Sequence, residues 1–346
     1  MRKTTQITTL LFLIGILAFS QDNLKYAETI NIFDLEKHLR ILASDSLEGR
    51  ETGKPGQKMA AAYIANHFKE LGLPACVETV DSYTKARRTS YYQKFKIRSD
   101  RLSRIWKKKV VVKGENVLGY IKGTDLKNEL IVISAHYDHL GKKDSLIFNG
   151  ADDNASGTAA IMEIAQAFMI AKKEGKGPRR SVLIIAFSGE EKGLLGSKYY
   201  TDNPVFSLEK TVANLNIDMI GRLDDLHQEE SNYVYLIGAD RLSQELHDIS
   251  ERVNEKNTQL DLDYRFNEDD DPNRYYYRSD HYNFAKNNIP VIFYFNGVHE
   301  DYHKATDTIE KIDYYKTQKI TKLIFLTAWE LANKDERLKL NETNEN

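Results

Sequence analysis

Four predominantly apolar runs, Leu130-Ile131-Val132-Ile133-Ser134-Ala135, Val182-Leu183-Ile184-Ile185-Ala186-Phe187, Val212-Ala213-Asn214-Leu215-Asn216-Ile217 and Val291-Ile292-Phe293-Tyr294-Phe295, dominate the middle of this chain. None shows the polar alternation of a half-exposed strand. Short runs of this kind read as strands buried on both faces, which is how a parallel sheet covered by helices is written. The expected fold is therefore α/β: one domain with a mixed, mostly parallel sheet flanked by helices. In such sheets the chemistry gathers beyond the C-terminal strand ends.

The residues at those ends fit that rule. His136-Tyr137-Asp138, Gly189-Glu190-Glu191 and Asn216-Ile217-Asp218-Met219 close the first three runs, Tyr302-His303 follows the fourth, and Asp152-Asp153-Asn154-Ala155-Ser156-Gly157 leads into a helical pattern. All five segments carry nitrogen or carboxylate ligands of the kind zinc takes at about 2.0–2.2 Å. Two ions about 3.5–4 Å apart need a carboxylate that can bridge them. His136 is a candidate ligand, and Asp138, two residues on, can accept its second ring N–H and fix the tautomer. Glu190 and Glu191 are adjacent carboxylates at an apolar strand end, where both are costly unless a cation waits there. Extended backbone points them in different directions, so one can bind metal while the other acts as general base.

The remaining elements frame the sheet. Helices are predicted over Asp34–Ala43, Gly56–Leu71, Gly157–Ala171, Leu242–Val253 and Thr317–Ala332, the fourth covering the opposite sheet face. A turn-forming loop spans Ser44–Gly56, and residues 81–122 read as short antiparallel edge strands. Lys107-Lys108-Lys109 reads as an exposed strand end, and residues 334–346 as a frayed polar tail.

Met1-Arg2-Lys3 followed by the apolar stretch Ile7–Phe19 reads as a secretory signal peptide over residues 1–20, leaving a single catalytic-sized domain over 21–333. Its apolar core is shorter than the ~20 residues of a membrane span. The expectation is a periplasmic or secreted protein with no stable membrane insertion. Lys and Arg total 49 against 51 Asp and Glu, a balance that argues against nucleic acid. Cys76 is the single cysteine, which excludes an internal disulfide and reads as a core or boundary residue.

With these residues in view, the chain resembles the co-catalytic di-zinc aminopeptidases of metallopeptidase family 28 from about Ala43 to Ile312. The likeness rests on the ordered set H-x-D at His136, G-A-D-D-N-A-S-G from Gly150, S-G-E-E-x-G-L-L-G-S from Ser188, N-x-D-M at Asn216 and Y-H-x-x-x-D-T at Tyr302. The resemblance implies a zinc exopeptidase fold and two zinc ions. Asp153 would bridge them, with Asp152 the competing choice; His136 and Asp218 would complete one site, Glu191 and His303 the other. It further implies a metal-bridging hydroxide as nucleophile, Glu190 as general base and acid, a cis peptide at Asp153-Asn154, and peptides with a free N-terminus as substrates.

Tyr276 matches the position of an oxyanion donor, with Tyr275 and Tyr277 one residue to either side and an aromatic pocket wall as the alternative. Arg278 is a candidate for a substrate carboxylate or for a surface ion pair. His139, His281 and His299 read as supporting or loop histidines, and the Asn154-Ala155-Ser156 glycosylation pattern falls inside the proposed site. The acidic run Asn267–Asp271 reads as a solvated loop. Rival readings are a carboxypeptidase or dipeptidase on the same scaffold, a single-zinc glutaminyl cyclase, and a non-catalytic binding protein.

Overall fold

The computed structural model describes residues 23–80, 84–98, 104–105, 107 and 110–342. The signal-peptide expectation at residues 1–20, and Lys108 and Lys109 of the basic run, lie outside the described residues.

The strands are β1 (Val77–Val80), β2 (Arg87–Ser90), β3 (Tyr92–Arg98), β4 (Val111–Ile121), β5 (Leu130–His136), β6 (Gly141–Lys143), β7 (Leu146–Phe148), β8 (Ser181–Phe187), β9 (Thr211–Ile217), β10 (Tyr233–Ile237), β11 (Asp261–Asp263) and β12 (Val291–Phe295). Eight of them form one sheet in the order β11-β10-β12-β9-β5-β8-β4-β3. The four apolar runs are its centre: β12, β9, β5 and β8 pair in parallel, and every residue of all four is buried. Antiparallel pairing begins on either side, at β10 and at β4 and β3. Of the antiparallel strands expected within residues 81–122, β3 forms the sheet edge, β4 lies beside it between β3 and β8, and β2 pairs with β1 in a separate two-stranded sheet.

The helices are α1 (Ile32–Leu42), α2 (Pro55–Leu71), α3 (Gly157–Lys173), α4 (Leu195–Asp202), α5 (Gln244–Val253), α6 (His281–Ala285) and α7 (Tyr314–Asn333). Along β5, Ile131, Ile133 and Ala135 pack with α1, α2, α3 and α7. The alternate residues Leu130 and Val132 join Tyr200 of α4 and Phe284 of α6 on the other face, with Cys76 packed alongside. The predicted helix 242–253 does not cover that second face. Leu246, Ile249 and Val253 of α5 belong to the same cluster as Ile324 of α7, because its apolar stripe is long enough to extend the larger layer. The opposite face is covered instead by the short α4 and α6.

The polar tail is docked rather than frayed as far as Asn341, whose side chain donates to the Asp240 carbonyl at 2.7 Å. Leu338 is buried in the main core, Arg180 donates to the Lys334 carbonyl at 2.5 Å, and Ser243 donates to the Lys339 carbonyl at 2.7 Å. One apolar side chain and the buried Arg180 anchor what composition alone makes look solvated. Among the described residues, no helix is long and apolar enough to cross a membrane.

Candidate active site

Strand ends deliver most of the candidate ligands. β5 terminates at His136, β8 runs through Ser188 and Gly189 to Glu190 and Glu191, β9 leads to Asp218, and the loop after β12 carries His303. Asp153 lies in the turn that opens α3, next to a cis Asp153–Asn154 peptide bond. Asn154 is fully buried and donates to the Ile217 carbonyl at 2.8 Å, so its side chain anchors this turn and is closed to a glycan.

The two oxygens of Asp153 face two different clusters. Oδ1 lies 3.4 Å from His136 Nε2, which is 3.1 Å from Asp218 Oδ1. Oδ2 lies 3.1 Å from His303 Nε2, which is 3.5 Å from Glu191 Oε2. Two atoms bound to one ion at about 2.0–2.2 Å are themselves roughly 2.8–3.6 Å apart. Two groups close enough to hold a cation result, His136 with Asp153 and Asp218, and His139 with Asp153 and Glu191. Asp152, the competing bridge, turns away: Oδ1 accepts from the Gly221 amide at 2.6 Å, and Oδ2 is 3.2 Å from His299.

The electrostatics are those of crowded carboxylates. Burial alone would pull the His136 imidazole down, but Asp218, Glu190 and Asp153 push it well above its ordinary value. Burial, reinforced by Glu191 and Asp218, pushes the Glu190 carboxyl well above the usual carboxylate range against the pull of His136. Asp218 is held below its ordinary value despite burial, because His136 and the Ser279 hydroxyl, which donates at 2.7 Å, favour its charged form. Buried Glu191 Oε1 and both His139 ring nitrogens have no hydrogen-bond partner. Nitrogen and carboxylate donors, one shared carboxylate and orphaned polar atoms together fit a pair of divalent cations.

Asp138 takes a different place from the one its spacing suggests. His136 Nδ1 is 3.1 Å from the Asp138 main-chain carbonyl and 3.9 Å from its carboxylate, so the backbone fixes the tautomer. The carboxylate instead accepts from the Thr52 hydroxyl at 2.6 Å and from the Glu190 amide at 3.3 Å. The segment supporting Asp138 includes Arg50, which is fully buried. Its guanidinium donates to the carbonyls of Tyr137 at 2.8 Å, Leu42 at 2.5 Å, Asn149 at 2.6 Å and Gly150 at 2.9 Å. One side chain thereby ties the His136–Asp138 segment to the turn carrying Asp153. Asp307 holds the same turn from the other side, accepting from the Asp152 and Asp153 amides at 3.1 Å.

His136, Asp153, Glu190, Asp218 and His303 line a cleft with about 370 Å³ of empty space, walled by Met219, Tyr275, Phe293, Phe295, Val298, Tyr302 and Arg278. Tyr276 is not among these residues. Its ring packs under the Arg241 guanidinium at 4.1 Å and against the inner clusters. Tyr302 lines the cleft instead, stacked on His303 at 3.8 Å, with burial and the carboxylates of Asp153, Glu191 and Glu190 raising its phenol. The signal for it was its position beside His303.

Arg278 lies over the Tyr275 ring at 4.9 Å and has no carboxylate partner among the described residues. His281 stacks on Phe293 at 4.6 Å. The acidic run is exposed at residues 268–270, while Asp271 is buried and caps the Tyr275 amide at 2.9 Å.

The sequence pattern of peptidase family M28 matches residues 116–328. A probable glutamate carboxypeptidase, LAMP1, of Arabidopsis thaliana is 36% identical over 110 residues, 32% of this chain and 15% of that protein. Aminopeptidase YwaD of Bacillus subtilis is 32% identical over 132 residues, 35% of this chain and 27% of that protein. The matched stretch thus spans about a quarter or less of either relative. The LapA aminopeptidase of Legionella pneumophila superposes with a TM-score of 0.68 at 20% identity, covering 92% of this chain and 75% of that one, a likeness of fold.

Proposed function

This chain belongs to peptidase family M28, and from that premise we propose that it is an exported metallo-aminopeptidase that holds two zinc ions and removes residues from peptides with a free N-terminus. The observation that carries the reading is Asp153, whose two oxygens face separate ligand clusters inside one cleft beside Glu190. His136 and Asp218 would hold one ion, Glu191 and His303 the other, with Asp153 between them. Zinc, when bound, supplies Lewis acidity and lowers the pKa of its water to near 7.

The chain's own residues supply the rest. Glu190 lines the cleft and takes a proton from the attacking water, then returns it to the leaving amine nitrogen. Asp138, through the Glu190 amide, fixes the backbone from which that carboxylate projects. The Tyr302 phenol, stacked beside His303, is a cleft donor for the carbonyl oxygen as negative charge develops on it. Export rests on the Met1–Gln21 pattern and is checked by the N-terminus of the secreted protein.

Arg278, with no carboxylate partner among the described residues, favours a second reading in which the cleft receives a substrate carboxylate, as a carboxypeptidase or dipeptidase would. Incubation of the zinc-loaded protein with free, N-acetylated and Gln-initiated peptides, read by mass spectrometry, separates the possibilities. Stepwise loss from free N-termini alone supports the aminopeptidase. Trimming from C-termini moves the assignment to a carboxypeptidase, and loss of ammonia from Gln peptides to a cyclase.

A further inference from the structure

We propose that His139 is a direct ligand of the second cation, which is then held by two histidines and two carboxylates: His139, His303, Glu191 and Asp153. The proposal rests on reading the site as a two-metal centre and adds to that site a residue whose spacing places it outside the ligand set. His139 is fully buried, with Nδ1 2.8 Å from Glu191 Oε1 and 3.7 Å from Asp153 Oδ2. At 2.8 Å an imidazole and a carboxylate would ordinarily share a proton along the N–H direction. Here they form no hydrogen bond, and both atoms are buried without a hydrogen-bond partner. Atoms that lie side by side without addressing each other are arranged as co-ligands are, each aimed at a third point between them.

The backbone makes room for this ring. Gly150 adopts φ +55°, and a Cβ there would approach His139 Cδ2 to 2.5 Å and Cγ to 2.6 Å. Any side chain at position 150 would displace the imidazole. The ring lies edge-on to His303 with centroids 5.9 Å apart, so the two imidazoles flank Glu191 and Asp153 from different sides. The His139 amide donates to the Arg50 carbonyl at 3.3 Å, fixing the main chain from which the ring projects. A neutral second imidazole would strengthen the hold on the ion without adding to the carboxylate excess.

The test uses the native protein first. Cobalt(II) is loaded at both sites, and paramagnetically shifted, exchangeable imidazole N–H resonances are counted by proton NMR. Three such resonances, from His136, His303 and His139, are expected. Two resonances with two bound cobalt ions would overturn the assignment of His139 and leave the metallopeptidase reading standing, whereas failure to bind cobalt would remove both.

Zinc titration of variants gives an independent readout. His139→Ala is expected to weaken the second site by about 100-fold or more while the first is retained, the same outcome expected of His303→Ala. His139→Asn keeps an N–H donor but lacks the imidazole, and is expected to behave like the alanine variant. Restoration of wild-type affinity by asparagine would show a hydrogen-bonding role and overturn the proposal. Melting of the metal-free variants controls for folding.

Discussion

The Thr52 hydroxyl donates a 2.6 Å hydrogen bond to Oδ2 of Asp138, joining a loop that precedes the family-matched residues 116–328 to the strand end that bears His136. Both residues are buried, and the other Asp138 oxygen receives the Glu190 amide, so Thr52 acts on the proposed base through one intermediary. Removing the hydroxyl leaves a buried carboxylate short of a donor. Thr52→Val is expected to lower kcat by about 10- to 100-fold with KM little changed, and Thr52→Ser to restore it. Steady-state kinetics on a fixed peptide substrate check this.

Arg50 is expected to matter for stability before catalysis. Its guanidinium is the donor to four main-chain carbonyls, and Arg50→Met would strand those of Leu42, Tyr137 and Asn149, while the Gly150 carbonyl keeps the Ala155 amide. A loss of about 3 kcal/mol or more follows if each orphaned carbonyl costs roughly 1 kcal/mol. Urea unfolding of the metal-free protein measures it, and a midpoint equal to wild type would contradict the keystone role.

A buried pair remote from the cleft sets a pH dependence. His38 and Glu163 are 3.4 Å apart between α1 and α3, with Tyr63 2.6 Å from the other His38 nitrogen and the His67 ring 4.7 Å away. Burial, aided by the nearby Asp34 and opposed by Lys37, pushes the Glu163 carboxyl up to about 8. Burial, then Lys37, lowers His38 to about 4, and burial, then His38, lowers His67 to about 4.

The folded state therefore holds a proton on Glu163 that the unfolded chain releases near 4.5, and this contribution is lost as pH rises through about 8. The histidines act in the opposite sense, but only between about 4 and their unfolded value of 6.5, so above that Glu163 decides the slope. Relative to Glu163→Gln, the wild-type melting temperature should fall between pH 6.5 and 8.5. A constant difference across that range would contradict it.

Arg278 tests the substrate end of the cleft. If its guanidinium meets a substrate carboxylate, Arg278→Gln should lower kcat/KM by about 10- to 100-fold for dipeptides with a free C-terminus or peptides beginning with Glu, from a charged hydrogen bond of roughly 1.5–3 kcal/mol. Leucyl amides, which carry no carboxylate, should be cleaved as before. Equal losses on both substrate sets would assign Arg278 to the cleft wall alone.

The sheet was legible because its four central strands are buried on both faces and so carry no polar interruption strong enough to mislead. That His136, Glu190, Glu191, Asp218 and His303 gather was legible because strand ends in such a sheet converge, whereas Asp153 as the shared carboxylate was implied by the family resemblance. What escaped reading was set by contacts distant in sequence. Arg50 and Thr52 sit in a loop that the sequence marks only as turn-rich, and only the packed fold shows Arg50 to be fully buried. His139 follows Asp138 directly, and no spacing rule says that the room left by Gly150 admits its ring. Tyr276 is absent from the cleft wall, where Tyr275 and Tyr302 stand, because three consecutive tyrosines give no register and the fold turns Tyr276 beneath Arg241. The helix expected on the far face joined the larger layer because an amphipathic stripe says what is buried but not against which side.

The most direct test of the account is Glu190→Gln in the zinc-loaded protein, with bound zinc measured by elemental analysis beside turnover on a free N-terminal peptide. The account predicts two zinc ions per chain, an unchanged melting curve, and a kcat lower by about 10²- to 10⁴-fold, the usual contribution of a general acid–base group. Wild-type turnover with both metals in place would contradict Glu190 as the proton carrier.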